Sequence, residues 1–81
     1  MTMPELRRRV RGVIARTFEI TDAELPVPAD VDSVVKWDSL GHMELIEALE
    51  QEFDIEIEHA DAVLLLGEAE IVDHLAARLP A

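Results

Sequence analysis

The sequence predicts an all-α fold: a four-helix bundle of three long helices and one short one, with a long loop between the first two. Three observations carry this. Apolar residues recur at helical spacing in three stretches, near residues 4–18, 39–53 and 68–79. One run, Phe53-Asp54-Ile55-Glu56-Ile57-Glu58, alternates with a period of two, but no convincing second strand exists to pair with it. Finally, 49% of the 81 residues are hydrophobic, enough for a packed core despite a net charge of -11. The length suits a single domain, residues 1–81.

The first helix is expected from about Pro4 to Phe18. Proline suits a first-turn position, where its missing N–H costs nothing. Leu6, Val10, Val13, Ile14 and Thr17 share one face, with Phe18 at its edge. Arg7, Arg8, Arg9, Arg11 and Arg16 lie mostly elsewhere. Residues 1–18 carry five Arg against one Glu, whereas residues 19–81 carry two basic and seventeen acidic residues. The basic face is therefore read as solvated or as internal counter-charge, ahead of a site for an anionic surface.

Residues 19–37 form the long connection, with Pro26 and Pro28. A structureless loop of this length is unusual in a small domain. Leu25, Val27, Val31, Val34 and Val35 are expected to pin it to the core, and Asp30 to cap a turn at 31–34. Trp37 is read as packing the loop onto the bundle.

The second helix spans residues 39–53 and starts at Asp38-Ser39. Leu45, Ile46, Leu49 and Phe53 share its apolar face, with His42 at the edge. The alternating run after it is an extended connector burying Ile55 and Ile57. It is no calcium loop: His59 stands where an EF-hand needs Gly, and Leu65 where it needs Glu. A third, short helix is expected near Ala60–Leu65, ended by Gly67. The fourth runs from about Glu68 to Leu79 on an apolar face of Ile71, Val72, Leu75 and Leu79. Glu68 and Glu70 suit its positive end, Arg78 its negative end, and Pro80 marks its stop.

Several functions are excluded or disfavoured. The acidic charge opposes nucleic acid and favours basic protein surfaces. There is no Cys, hence no disulfide framework or thiolate metal site. No apolar run approaches a membrane span and no secretion-signal pattern is present, so a cytoplasmic, monomeric protein without membrane contact is expected. His42, His59 and His74 show no zinc spacing. Ser39 with His42 does not make a hydrolase, because no oxyanion hole or substrate pocket is evident in so short a chain.

Ser39 has two readings of its own. A serine at a helix start can cap a free N–H of the first turn. It can also be an attachment point for a phosphate-linked group, which the dipole and free N–H groups would stabilise. Asp38-Ser39-Leu40, followed by Met43, Glu44-Leu45 and Ala48-Leu49-Glu50-Gln51-Glu52-Phe53, resembles the acyl carrier protein family. The likeness is strongest over residues 38–55 and looser over the rest of the chain. Trp37 departs from it, standing where the family more often has Gly or Ala.

The resemblance implies a four-helix acyl-carrier-like bundle and accounts for the long first loop. It implies that the chain carries acyl intermediates as thioesters on 4'-phosphopantetheine, joined from coenzyme A to Ser39, with Asp38 and Leu40 flanking the site. The protein would be no enzyme and would hold no metal of its own. A phosphopantetheinyl transferase would modify it, and acyl-loading, condensing and acyl-transfer enzymes would visit it. Docking is expected at Glu44, Glu47, Glu50 and Asp54, with Met43 as an apolar contact beside the arm. The acidic second helix favours acyl over peptidyl or aminoacyl cargo. Trp37 and the Arg-rich first helix lean towards a discrete carrier in a polyketide-like pathway rather than housekeeping fatty-acid synthesis. An unmodified helical adaptor, with Ser39 only a cap, is the competing class.

Overall fold

Thr2 opens the first helix of the computed structural model, which describes residues 1–79. Its side-chain oxygen accepts the Glu5 N–H and its hydroxyl donates to the Glu5 carboxylate, a reciprocal cap. Helix α1 then runs Met3–Phe18, α2 Ser39–Phe53, α3 His59–Ala62 and α4 Glu68–Arg78. Among the described residues there is no strand, only an isolated bridge between Asp30 and Gly67. The alternating run 53–58 is thus the end of α2 and an extended connector. Its Ile57 N–H is taken by the Glu50 carboxylate at 2.9 Å, so the segment needs no partner strand.

Helix α1 is the central member, packing against both α2 and α4. Leu6, Val10, Val13 and Ile14 are buried as the periodicity predicts. Phe18, expected at the edge, is fully inside, with its ring centroid 5.5 Å from that of Trp37. α1 and α2 end alike. Glu19 and Asp54 adopt left-handed backbone conformations (φ 57° and 53°), and the next residues, Ile20 and Ile55, return N–H bonds to Ala15 and Glu50. That return satisfies carbonyls which the helix end leaves free.

The long loop is held by fewer valines than expected. Leu25, Val34 and Trp37 are buried and Val31 is half-buried, but Val27 and Val35 are 83% and 97% exposed. Val35 follows the buried Val34 in a turn, where successive side chains diverge. Val27 lies between two prolines whose missing N–H groups keep that strip out of regular pairing. Ala29 anchors the strip instead and is wholly buried. Asp30 caps the next turn as expected, its Oδ1 accepting the Asp32 and Ser33 N–H groups.

Two arginine nodes tie α1 to the rest. Arg11 donates to Glu68 Oε1 at 2.6 Å and to the Pro26 and Leu25 carbonyls. Arg9 and Arg16 both reach Glu52 on α2, and the Arg9 guanidinium also lies over the Phe53 ring, 4.6 Å from its centroid. The basic face is therefore in part internal counter-charge. The Arg9 hydrogen bond, with a smaller contribution from Arg16, holds the Glu52 carboxyl below its ordinary 4.5. A carboxyl lowered on folding adds stability above its unfolded pKa and loses it as pH falls through the lower folded one. Glu52→Gln should therefore lower Tm at pH 7, and its deficit against wild type should shrink between about pH 5 and pH 3. An equal deficit at both ends of a thermal-melt series would contradict this clasp.

The third helix is shorter and earlier than the 60–65 expected. Regular α-geometry stops at Ala62, and bonds from Leu64 and Leu65 back to Asp61 and Ala62 continue as a tighter turn. α4 stops at Arg78, one residue before the expected end, with Leu79 half-buried beyond it. Pro80, read as the stop signal, lies outside the described residues.

Candidate functional site

The head of α2 is set by its cap. Asp38 is in extended conformation and its Oδ1 accepts the Gly41 N–H at 2.8 Å, while its carbonyl accepts the His42 N–H. Capping is thus done by Asp38. Ser39 is the first helical residue and is exposed, and among the described residues its hydroxyl has no hydrogen-bond partner. Among the described residues the N–H groups of Ser39 and Leu40 find no acceptor and are free donors of the first turn.

Gly41 lets this head sit low on the bundle. A β-carbon there would collide with the Lys36 carbonyl and come within 2.8 Å of the Phe18 ring. A glycine inside a helix costs about 1 kcal/mol against alanine, so close packing is its explanation here.

The expected site residues fall into three settings. Leu40 and Met43, next to Ser39 on the helix, are 68% and 64% exposed. Glu44, Glu47 and Asp54 are exposed, and Glu47, Glu50, Gln51, Asp54 and Glu56 line one acidic groove along α2. Glu50 is half-buried and already holds the Ile57 N–H, so its carboxylate is partly committed to the fold.

Beside Ser39 lies a cleft of about 250 Å3 between α2 and α3. His42, Met43 and Ile46 form its α2 wall with Glu47, and Ile57, His59, Ala62 and Val63 the other. Ser39, Met43 and Ile46 follow one stripe of the helix, so the cleft begins one turn below the hydroxyl, about 6 Å along the axis. His42 is half-buried as expected. It is hydrogen-bonded to Trp37 and to the Ala62 carbonyl, contacts that its position on the helix does not reveal. His59 is exposed. His74 is half-buried, and its Nε2 has no partner among the described residues.

An exposed serine, a capping aspartate before it and an acidic face thus share the head and flank of α2. The family model described as "Phosphopantetheine attachment site" matches residues 8–75. The chain belongs to that family of phosphopantetheine-bearing carrier proteins, and its prosthetic group is 4'-phosphopantetheine. The head of α2 fits such a group: a free hydroxyl for the ester, two free N–H donors for its phosphate, and open solvent around them. As a carrier domain it serves a phosphopantetheinyl transferase and acyl-processing enzymes. No helix of the described residues is long and apolar enough to cross a membrane.

Proposed function

We propose that the chain is an acyl carrier whose arm is attached at Ser39. One observation carries this: Asp38 takes the cap, which leaves the Ser39 hydroxyl exposed beside two free backbone donors. Asp38 keeps the first turn formed, and the Ser39 and Leu40 N–H groups would be the donors available to the arm's phosphate. When bound, the group supplies a terminal thiol that carries cargo as a thioester. The chain's own part is presentation, so it acts as a non-catalytic partner of other enzymes. Residues 1–81 are read as one carrier domain.

Acyl rather than aminoacyl cargo is supported by the acidic groove and by the apolar cleft below Ser39. Trp37 packs in the core and Arg9, Arg11 and Arg16 are paired internally, so these departures do not favour a polyketide-like pathway over another.

The test is intact mass after incubation with a phosphopantetheinyl transferase and coenzyme A. A gain of one arm supports the carrier; no gain with an active transferase supports the adaptor. Docking is assigned to Glu44 and Glu47, assisted by Glu50, Asp54 and Met43. Glu47 lies about 12 Å along the axis from Ser39. Reversing Glu44 and Glu47 to Lys should slow modification about tenfold, and added salt should slow the wild type, because such steering is screened. Reversing Arg7 and Arg8, which form no ion pair among the described residues, should change the rate little. Equal slowing by both pairs would show that partners read net charge rather than the acidic face of α2.

A further inference from the structure

A chain of hydrogen bonds beside the cleft has no part in the carrier assignment. Trp37 is 3% exposed, and its buried indole N–H donates to His42 Nδ1 at 3.0 Å. The two rings are close to coplanar, with planes 16° apart and centroids 6.3 Å apart, meeting edge to edge through that bond. On the other side, His42 Nε2 lies 2.7 Å from the Ala62 carbonyl oxygen. A carbonyl only accepts, so the network assigns the proton to Nε2 and leaves Nδ1 bare for the indole. Both ring nitrogens are committed in one neutral tautomer. The chain joins the end of the long loop, the first turns of α2 and the last residue of α3.

One other directional tie reaches α3, the ion pair of Asp61 with Arg78 of α4 at 2.9 Å, which is partly solvent-exposed and so contributes little. The helix itself is four residues long and has no side-chain cap bond at its start. A helix this short does not hold itself together. The extensive helix interfaces are those of α1 with α2 and with α4. The buried side chains Ala62 and Leu65, together with Ile57, hold the segment by apolar contact. The His42–Ala62 bond adds a directional tie across one end of the cleft, and His42 and Ala62 both line it.

We propose that His42 is a positioning residue: it latches α3 to α2 and thereby sets the opening of the cleft next to Ser39. Releasing it frees α3 while the other three helices stay packed. The functional consequence rests on Ser39 being the attachment point; the latch itself can be tested on the unmodified protein.

His42→Phe keeps a ring and removes both polar atoms. His42→Gln retains one acceptor and one donor. Residue-by-residue amide exchange is measured on wild type and both variants, with fluorescence of Trp37, the single tryptophan. In His42→Phe the amides of residues 59–65 should exchange about tenfold faster relative to those of residues 10–14 and 45–49, and the Trp37 emission should shift. His42→Gln should restore most of both. Uniform acceleration in all helices, or unchanged exchange at 59–65, overturns the latch. So does equal loss in His42→Gln, which would mean that a donor and an acceptor at this position do not hold α3. Should His42→Phe not fold, the Gln variant decides: protection at 59–65 kept near wild type supports hydrogen bonding, and its loss overturns it. Transferase treatment of the wild type runs alongside. Local release without arm uptake leaves the latch standing and removes Ser39 from the carrier reading; arm uptake without local release removes the latch alone.

Discussion

Ser39→Ala should abolish arm attachment completely while leaving the fold intact. The expected readout is intact mass: one arm on wild type, none on the variant, under the same transferase and coenzyme A. The effect is all-or-none because the ester needs a hydroxyl and alanine has none. Stability should change by no more than about 0.5 kcal/mol, as for other exposed positions. This small figure follows from the cap belonging to Asp38, whose Oδ1 holds the Gly41 N–H. By the same logic Asp38→Ala should cost about 1 kcal/mol and loosen the first turn, slowing modification without preventing it. Arm uptake by Ser39→Ala would place the attachment elsewhere. A large loss of stability in it would mean that the serine, after all, carries the helix start.

What could be read from the sequence was local. The α2 face of Leu45, Ile46, Leu49 and Phe53 and the start at Asp38-Ser39 depend on residues within a few positions of one another, and the structure places them as the 3.6-residue period requires. The burial of Trp37 follows from its own chemistry. What the sequence hid was pairing over distance. Glu68 looked like a dipole-complementing first-turn residue, yet it is 2% exposed and bound to Arg11, fifty-seven positions away. His42 was placed correctly at the edge of the face, but its Ala62 partner is twenty positions on. Glu50 looked free for docking until the connector folded back onto it. Apolar periodicity reports which side of a helix is inside; it says nothing about which polar groups meet there. Gly41 is no exception: Gly12 also stands inside a helix, α1, yet a β-carbon there would meet nothing within 4 Å, so a glycine within a helix does not by itself reveal the close approach at Gly41.

The largest loss of stability should come from that hidden pair. Glu68 Oε1 accepts from Arg11 and from the buried Ala29 N–H at 2.9 Å. Arg11, 17% exposed, also donates to the Leu25 and Pro26 carbonyls. The node thus joins α1, the head of α4 and the middle of the long loop. Removing one member leaves the other buried and uncompensated. Glu68→Ala strands the guanidinium and the Ala29 N–H, and Arg11→Ala strands the carboxylate. Each should cost about 3–5 kcal/mol, against a total of roughly 4–12 kcal/mol for a domain of this size. Either single variant should be partly unfolded at room temperature or lose at least about 12 °C in Tm. Arg11→Met with Glu68→Leu should be less damaged than either single change, because an apolar pair of similar volume removes both charges together. The Ala29 N–H remains unsatisfied in the double variant, which keeps it about 1–3 kcal/mol below wild type. Denaturant titration of the four proteins gives the coupling directly. Single-variant costs under about 1 kcal/mol would show that water or neighbouring groups replace the ion pair, and that apolar packing alone holds the loop leading to Asp38 and Ser39.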